Sequence, residues 1–424
     1  MSHYKPYPAY KDSGVEWIGR VPEHWGVKAF KRLASIRNGQ DYKDVADPGG
    51  AYPVIGSGGE FARASSFMFD GESVLLGRKG TIDKPLYING PFWTVDTMFY
   101  TTIADDAFPR FVYYSALTIP FGLYSTNTAL PSMTGEDISS HVIAVPEFAE
   151  QKAIARGLDR ETACIDALIA AQRRLIDLLR EKRSALISHV VTKGLDPNVE
   201  MKDSGVEWLG TVPGHWDVCK LSYRYTVELG KMLDEKKFTG NQPVSYLRNK
   251  DVQWQSINTV DLPTMDISPS EIDRYTIKNG DLLVCEGGDV GRAAIWRGAD
   301  NVIGYQKALH RLRAVSASKD SVEFYFFALF AAKNNGVFEE SDTKSTISHL
   351  PAEKFCEYRF AFPPIDEQQA IFKFLATMIK RIDLLFEKTQ RSIDLLKERR
   401  SALITATVTG QIDIRDHSVT IGVI

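Results

Sequence analysis

The chain has 424 residues, of which 44% are hydrophobic and 25% charged, with a formal net charge of −3. That length and balance suit roughly two to four ordinary globular domains, and the slight acidity removes any whole-chain electrostatic case for a nucleic-acid ligand. The absence of an apolar run of about 18 residues, and of an apolar core near the N-terminus, argues against membrane insertion or export, so a cytoplasmic protein is expected. Cys164, Cys219, Cys285 and Cys356 form no close pair and the eight histidines are dispersed, which disfavours a disulfide framework or a metal site.

In chain order, the first distinctive segment is KDSGVEWIGRVPEHWGV at 11–27, which returns as KDSGVEWLGTVPGHWDV at 202–218 with 13 of 17 positions identical, an offset of 202 − 11 = 191. Its tryptophans, Trp17, Trp25, Trp208 and Trp216, read better as packing anchors that fix the entry strand of each domain than as platforms for stacked bases. Residues 30–145 follow, rich in β-branched and aromatic residues broken by Gly, Pro, Asn and Asp, as in a mixed sheet domain with long loops. Ser73–Leu76 and Phe99–Ile103 read as strands, and GSGG at 56–59 as a tight turn, since it lacks the strand-to-helix frame of a phosphate cradle. Arg37, Asn38, Lys43, Arg63, Arg78, Lys79 and Lys84, with Asn127 and Thr128 of the polar stretch STNTALPSM, are residue types that seat phosphates or read base edges. A solvated charged face is the simpler reading of such clusters taken alone.

Residues 146–196 carry apolar positions stepping by threes and fours through Ile154, Leu158, Ile165, Leu168, Leu175, Leu179 and Leu186. The spacing predicts a long helix of about 40 residues with a coiled-coil seam. A second variable region, 221–362, contains strand-like runs at Asp281–Cys285 and Ala293–Trp296 and a tight turn GGDVG at 287–291. Its candidate contact residues are Lys231, Lys236, Lys237, Arg248, Asn249, Lys250, Arg292, Lys307, Lys344 and Ser345, the last two in the polar stretch SDTKSTISHL. Segment 363–413 then repeats 146–196 without a gap, at 23 of 51 identical positions and an offset of 363 − 146 = 217. Its seam is Ile371, Leu375, Ile382, Leu385, Leu396 and Leu403. Pro363 and Pro364 precede Asp366 as a helix start, and Gly194 and Gly410 mark the two helix ends. A stripe of this length needs a partner; the repeat makes the other helix, antiparallel and related by a pseudo-twofold, the simplest one, with pairing between two chains as the alternative.

The order is therefore constant, variable, constant, variable, constant. No segment is a basic module: 1–145 holds 13 basic and 15 acidic residues, so DNA binding would need local patches or partner subunits to supply positive field. No P-loop, nucleophile elbow or adenine-methylation motif is present; FPPID at 362–366 has Phe and Ile where that motif needs polar and aromatic groups around the target amine. A reader is a better expectation than an enzyme.

Taken together, KDSGVEWIGRVPEHW and KDSGVEWLGTVPGHW, SYLRNKDVQW at 245–254, GDLLVCEGGDVGRAAIW at 280–296, and the helix openings PEFAEQKAIARGLD and PPIDEQQAIFKFLA resemble the specificity subunit of type I restriction-modification systems over nearly the full length. The first variable region departs, with GRKGT where the second has GGDVGR, as expected where each region follows its own DNA sequence. The resemblance implies an α/β chain of two tandem target-recognition domains, 1–145 and 197–362, separated by conserved antiparallel helices at 146–196 and in 363–424. It implies a non-catalytic subunit that reads a bipartite asymmetric site in double-stranded DNA and binds no cofactor itself. The implied partners are two adenine-N6 methyltransferase subunits, which bind S-adenosylmethionine, and restriction/translocase subunits, which use ATP and Mg2+. An interaction scaffold without its own sequence readout, and a stand-alone DNA-modifying enzyme, are the alternatives.

Overall fold

The computed structural model describes residues 4–125, 131–233, 240–298, 302–339 and 349–415. It divides into two units, one of Met1–Arg173 with Gln390–Ile424, the other Arg174–Thr389. The two long helices, at Phe148–Lys193 and Ile365–Val408, each give one half to each unit.

In the first unit the variable region folds as a six-stranded sheet. Its strands are β1 (Ala34–Asn38), β2 (Tyr52–Gly56), β3 (Gly59–Ala64), β4 (Phe69–Gly77), β5 (Leu86–Thr94) and β6 (Met98–Ile103), in the order β1-β6-β4-β5-β2-β3. Val74, Leu75 and Leu76 on β4 are all buried, so this central strand is covered on both faces and reads as an unbroken apolar run rather than an alternating one. Helix α1 (Pro109–Ala116) covers one side with Phe111, Val112 and Tyr114. The turn at Gly59 takes φ of 103°, a conformation glycine alone adopts freely.

The second unit uses different residues for the same plan. Strands β7 (Tyr225–Leu229), β8 (Pro243–Leu247), β9 (Leu282–Cys285), β10 (Ala293–Ile295), β11 (Gly304–Tyr305) and β12 (Leu309–Ala314) include a sheet of order β7-β12-β9-β10, which matches β1-β6-β4-β5. The part of β5 is here divided: β10 pairs with β9 as β5 pairs with β4, while β11 runs parallel to β8 as the end of β5 runs parallel to β2. In GGDVG, Gly288 and Gly291 take φ of 70° and 79° between β9 and β10, making the turn a pair of left-handed residues. The core is filled by a helix of Val322–Asn334, which buries Phe324, Tyr325, Phe326, Phe327 and Leu329 around nearly its whole circumference.

Numbered in chain order, the long helices are α2 (Phe148–Lys193) and α4 (Ile365–Val408), with Val322–Asn334 as α3. Within each unit their halves run antiparallel. Arg400 meets Asp166 at 2.9 Å in the first unit and Arg183 meets Asp383 at 3.1 Å in the second; the 217-residue offset carries Arg183 to Arg400 and Asp166 to Asp383, so these are one contact made twice. Both pairs are partly exposed and contribute less than about 1 kcal/mol each. They report register rather than supply stability.

The seam differs from the sequence expectation at three positions. Ile154, Leu158, Ile165, Leu179, Ile371, Leu375, Ile382 and Leu403 are buried, and Leu186 and Leu396 half-buried, but Leu168, Leu175 and Leu385 are 48%, 42% and 51% exposed. Ile169 and Ile176 take the inward places on α2, in step with Thr162, and on α4 Ile379 and Ile393 flank Thr389. An apolar-only reading steps over such threonines and so slips by one residue. Their hydroxyls bond back to the preceding turn, Thr162 to the Leu158 carbonyl at 2.6 Å and Thr389 to that of Leu385 at 2.8 Å. The polar atoms are thus satisfied inside the helix, and the seam can accept them.

Candidate nucleic-acid interface

Each unit first builds a mount. Trp25 and Trp216 are fully buried beside the helix ends, where a Cβ added to Gly410 would lie 3.2 Å from the Trp25 ring and one added to Gly194 3.4 Å from the Trp216 ring. His24 bonds Glu150 at 2.8 Å and His215 bonds Glu367 at 2.7 Å. Buried Gln151 accepts from the Phe108 amide at 2.8 Å and donates to the Pro146 carbonyl at 3.0 Å. Gln368 does the same with the Ser321 amide and the Pro363 carbonyl, both at 2.8 Å. These side chains tie the opening turn of each long helix to the strand and helix that enter its head. Trp17 stacks on His141 at 4.9 Å and Trp208 packs edge-on to Phe360, so all four signature tryptophans engage protein groups.

Above the mount, one end of each head sheet gathers the same four chain segments into a rim. In the first unit Gly39 donates to the Met98 carbonyl at 3.0 Å, Gln40 to Thr94 at 2.9 Å, and Lys79 to Thr97 at 3.1 Å, while Met133 donates to Arg78 at 3.0 Å. In the second, Gly230 donates to Leu309 at 3.1 Å, Lys231 to Tyr305 at 2.9 Å, Glu286 to Ala308 at 3.0 Å, and Leu350 to Glu286 at 2.8 Å. The bridges Lys79↔Ser132 and Gly287↔His349 close the two rims alike. The offsets found in the sequence extend into this place: 191 carries Gly39 to Gly230, and 217 carries Ser132 to His349. Both glycines are required by space, because an added Cβ would stand 2.0 Å from the Val95 carbonyl oxygen at Gly39 and 2.3 Å from that of Gln306 at Gly230.

The rim brings together Asn38, Arg78 and Lys79 in the first unit, with Arg37 one residue earlier on β1 and Lys84 on the loop that follows β4. Arg37, Asn38, Lys79 and Lys84 are exposed. Arg78 lies over the Phe99 ring and donates to the Asp96 carbonyl at 3.3 Å. Lys43 and Arg63 sit apart, toward the β3 edge, paired with Asp41 at 3.2 Å and Glu60 at 3.4 Å. In the second unit Lys231 and Lys307 are on the rim and Lys250 is exposed on the turn after β8. Arg248 grips Asp251 through two bonds of 2.7 and 2.9 Å. Asn249 donates to the Gly287 carbonyl at 3.0 Å while Arg292 donates to the Asn249 side chain at 3.0 Å; these two brace the rim loop from within the protein. Asn127, Thr128, Lys236, Lys237, Lys344 and Ser345 lie outside the described residues.

The electrostatics of the two rims differ. Lys231 bonds Glu271 at 2.6 Å, and this ammonium, helped by Ser268, holds the Glu271 carboxyl down at about 2. Burial pushes Glu286 above the ordinary carboxylate range, opposed by His349 and Lys307. Burial holds the His141 imidazole, in the mount of the first unit, down at about 4. Sequence reasoning missed Gln40, Ser132 and His349; the only signal for them is that the repeat offsets reach past the signature and back before the helix.

The family model for the type I restriction modification DNA specificity domain matches this chain twice, at residues 22–176 and 213–393. The chain belongs to that family. The MjaVIII specificity subunit of Methanocaldococcus jannaschii is 22% identical over 439 residues, covering 94% of this chain and 95% of that protein. The putative MjaX specificity subunit of the same organism is 24% identical over 277 residues, 64% of this chain and 60% of that protein's length. Two solved structures share the fold. The HsdS subunit from Thermoanaerobacter tengcongensis gives a TM-score of 0.53 at 13% identity, covering 92% of this chain and 98% of that one. A chain from work on complex assembly and conformational transition of the type I R-M system gives 0.69 at 12% identity, with the same coverage. As a type I DNA specificity protein, the chain is a recognition polypeptide rather than an enzyme. Its two family matches each take in one head and the opening half of the helix that follows, the same division that the repeat offsets draw. No helix among the described residues is long and apolar enough to cross a membrane.

Proposed function

We propose that each rim reads one half of a bipartite, asymmetric site in double-stranded DNA, and that the helix-borne parts of the chain recruit two adenine-N6 methyltransferase subunits and the restriction/translocase subunits. The observation that carries this reading is the pairing of equal mounts with unequal heads: the same strand order and rim closure recur, while the side chains displayed differ almost throughout. A protein that needed only to hold partners would have no use for two heads that differ in sequence while their mounts stay alike. Two readers carried on one chain suit a site of two half-sequences spaced by one or more helical turns of about 34 Å.

In this reading the chain needs no cofactor of its own; S-adenosylmethionine, ATP and Mg2+ belong to the partner subunits. Those subunits also supply much of the positive field that a chain of net charge −3 lacks. Arg37, Lys79, Lys84, Lys250 and Lys307 are the exposed cations best placed to contact phosphates. The test is exchange of residues 30–145 for those of a relative with a different target, followed by mapping of methylated adenines. One half of the recognised sequence changes if the reading is right; a change in both halves, or in neither, refutes it.

A further inference from the structure

We infer that Gln40 and Lys231 are paired specificity-determining positions, Gln40 reading an adenine in the half-site of the first head and Lys231 a guanine in the half-site of the second. This deepens the proposed reading and rests on it. A base-reading side chain must project from backbone that cannot drift, because a bidentate contact tolerates only small displacement. Both residues meet that requirement in the same way. Each follows a glycine with no room for a Cβ, and each backbone is held on two sides. Gln40 donates its amide to Thr94 at 2.9 Å and its carbonyl accepts from the Trp93 indole at 3.0 Å. Lys231 donates to Tyr305 at 2.9 Å and its carbonyl accepts from the Lys307 amide at 3.0 Å.

The two heads thus present equivalent, clamped backbone with unlike side chains, the arrangement expected where sequence discrimination resides. The Gln40 side chain is exposed and has no intramolecular partner among the described residues. Its carboxamide has the acceptor and donor that match adenine N6 and N7, whereas a lysine ammonium matches guanine O6 and N7. In the free protein the Lys231 ammonium is held by Glu271 at 2.6 Å and lies 5.4 Å over the Tyr275 ring, so contact with guanine exchanges the Glu271 carboxylate for the base. Neighbouring Arg37, Lys79 and Lys84 in one head, and Lys250 and Lys307 in the other, supply sequence-independent attraction to the same surface.

The experiment expresses the full chain with its partner subunits and maps adenine methylation for wild type, Gln40→Ala, Lys231→Met and Lys231→Arg. Gln40→Ala is expected to relax one A·T pair in the first head's half-site by about 5- to 150-fold in discrimination, leaving the other half-site intact. Lys231→Met relaxes one G·C pair in the other half-site, and Lys231→Arg, which can still read guanine, retains it. Unchanged half-sites in both variants, or uniform weakening over all sequences as for a phosphate contact, overturn the inference while leaving the broader reading in place. A wild-type chain that directs no bipartite mark sinks the broader reading, and this inference with it.

Discussion

Replacing Gly39 with alanine tests the rim geometry directly. The new Cβ would stand 2.0 Å from the Val95 carbonyl oxygen and 2.7 Å from that of Thr94, so the strand end must move by about 1 Å to reach ordinary contact. That movement sacrifices the Gly39 to Met98 and Gln40 to Thr94 bonds, of 3.0 and 2.9 Å, each contributing about 1 kcal/mol. Residual crowding adds about 1–3 kcal/mol. The total, about 3–5 kcal/mol, is a large part of the stability of a domain of this size. Gly230→Ala faces oxygens at 2.3 and 2.4 Å and should behave alike in the other unit, whereas Gly58→Ala, with nothing within 4 Å, should cost less than about 0.5 kcal/mol. Hydrogen exchange through a urea series, read on peptides containing Ala34–Asn38 and Met98–Ile103, resolves the first unit from the second. Protection in Gly39→Ala indistinguishable from that in Gly58→Ala would refute the reasoning.

The revised seam predicts that Ile176→Ala costs about 2–4 kcal/mol while Leu175→Ala, one residue earlier and 42% exposed, costs less than about 1; equal costs in urea denaturation would restore the leucine register. Trp216 donates to Glu367 at 3.1 Å whereas the Trp25 indole nitrogen has no partner among the described residues. Trp216→Phe should therefore destabilise its unit by about 1–2 kcal/mol more than Trp25→Phe destabilises the other, and the reverse order by hydrogen exchange would contradict the assignment. His141 has its pKa lowered from 6.5 to about 4 by burial, so between those values the unfolded chain binds a proton that the native one does not. Its contribution is constant above pH 6.5, and stability falls as pH drops through that window by about 1.4 kcal/mol per unit, about 3 kcal/mol in all. His141→Asn should remove this slope from urea midpoints measured between pH 7 and 4.5, and an unchanged slope would count against it.

How much was legible in the sequence depended on how rigidly chemistry ties residue to role. The mounts could be read because Trp25, Trp216, Gln151 and Gln368 are held by specific burial and bonding, and substitution there would leave holes or unpaired groups. The common strand order of the two heads could not, since a sheet accepts almost any alternation of apolar residues that covers its faces. Only Gly39 and Gly230, fixed by the space available, betray the correspondence. The seam misled at Leu168, Leu175 and Leu385 because threonine hides its hydroxyl on its own helix. At the rim, residue type singled out Asn249 and Arg292, whose polar groups are spent on bracing a loop, and passed over Gln40, whose place is set by the crowded Gly39 beside it, a spatial constraint that residue type does not show.

Adenine-methylation mapping of cells with and without this chain tests the central claim most directly. Loss of a single mark made of two short unlike half-sequences at fixed separation is the predicted result. An unchanged methylation map, or a lost mark with only one contiguous recognised element, would contradict it.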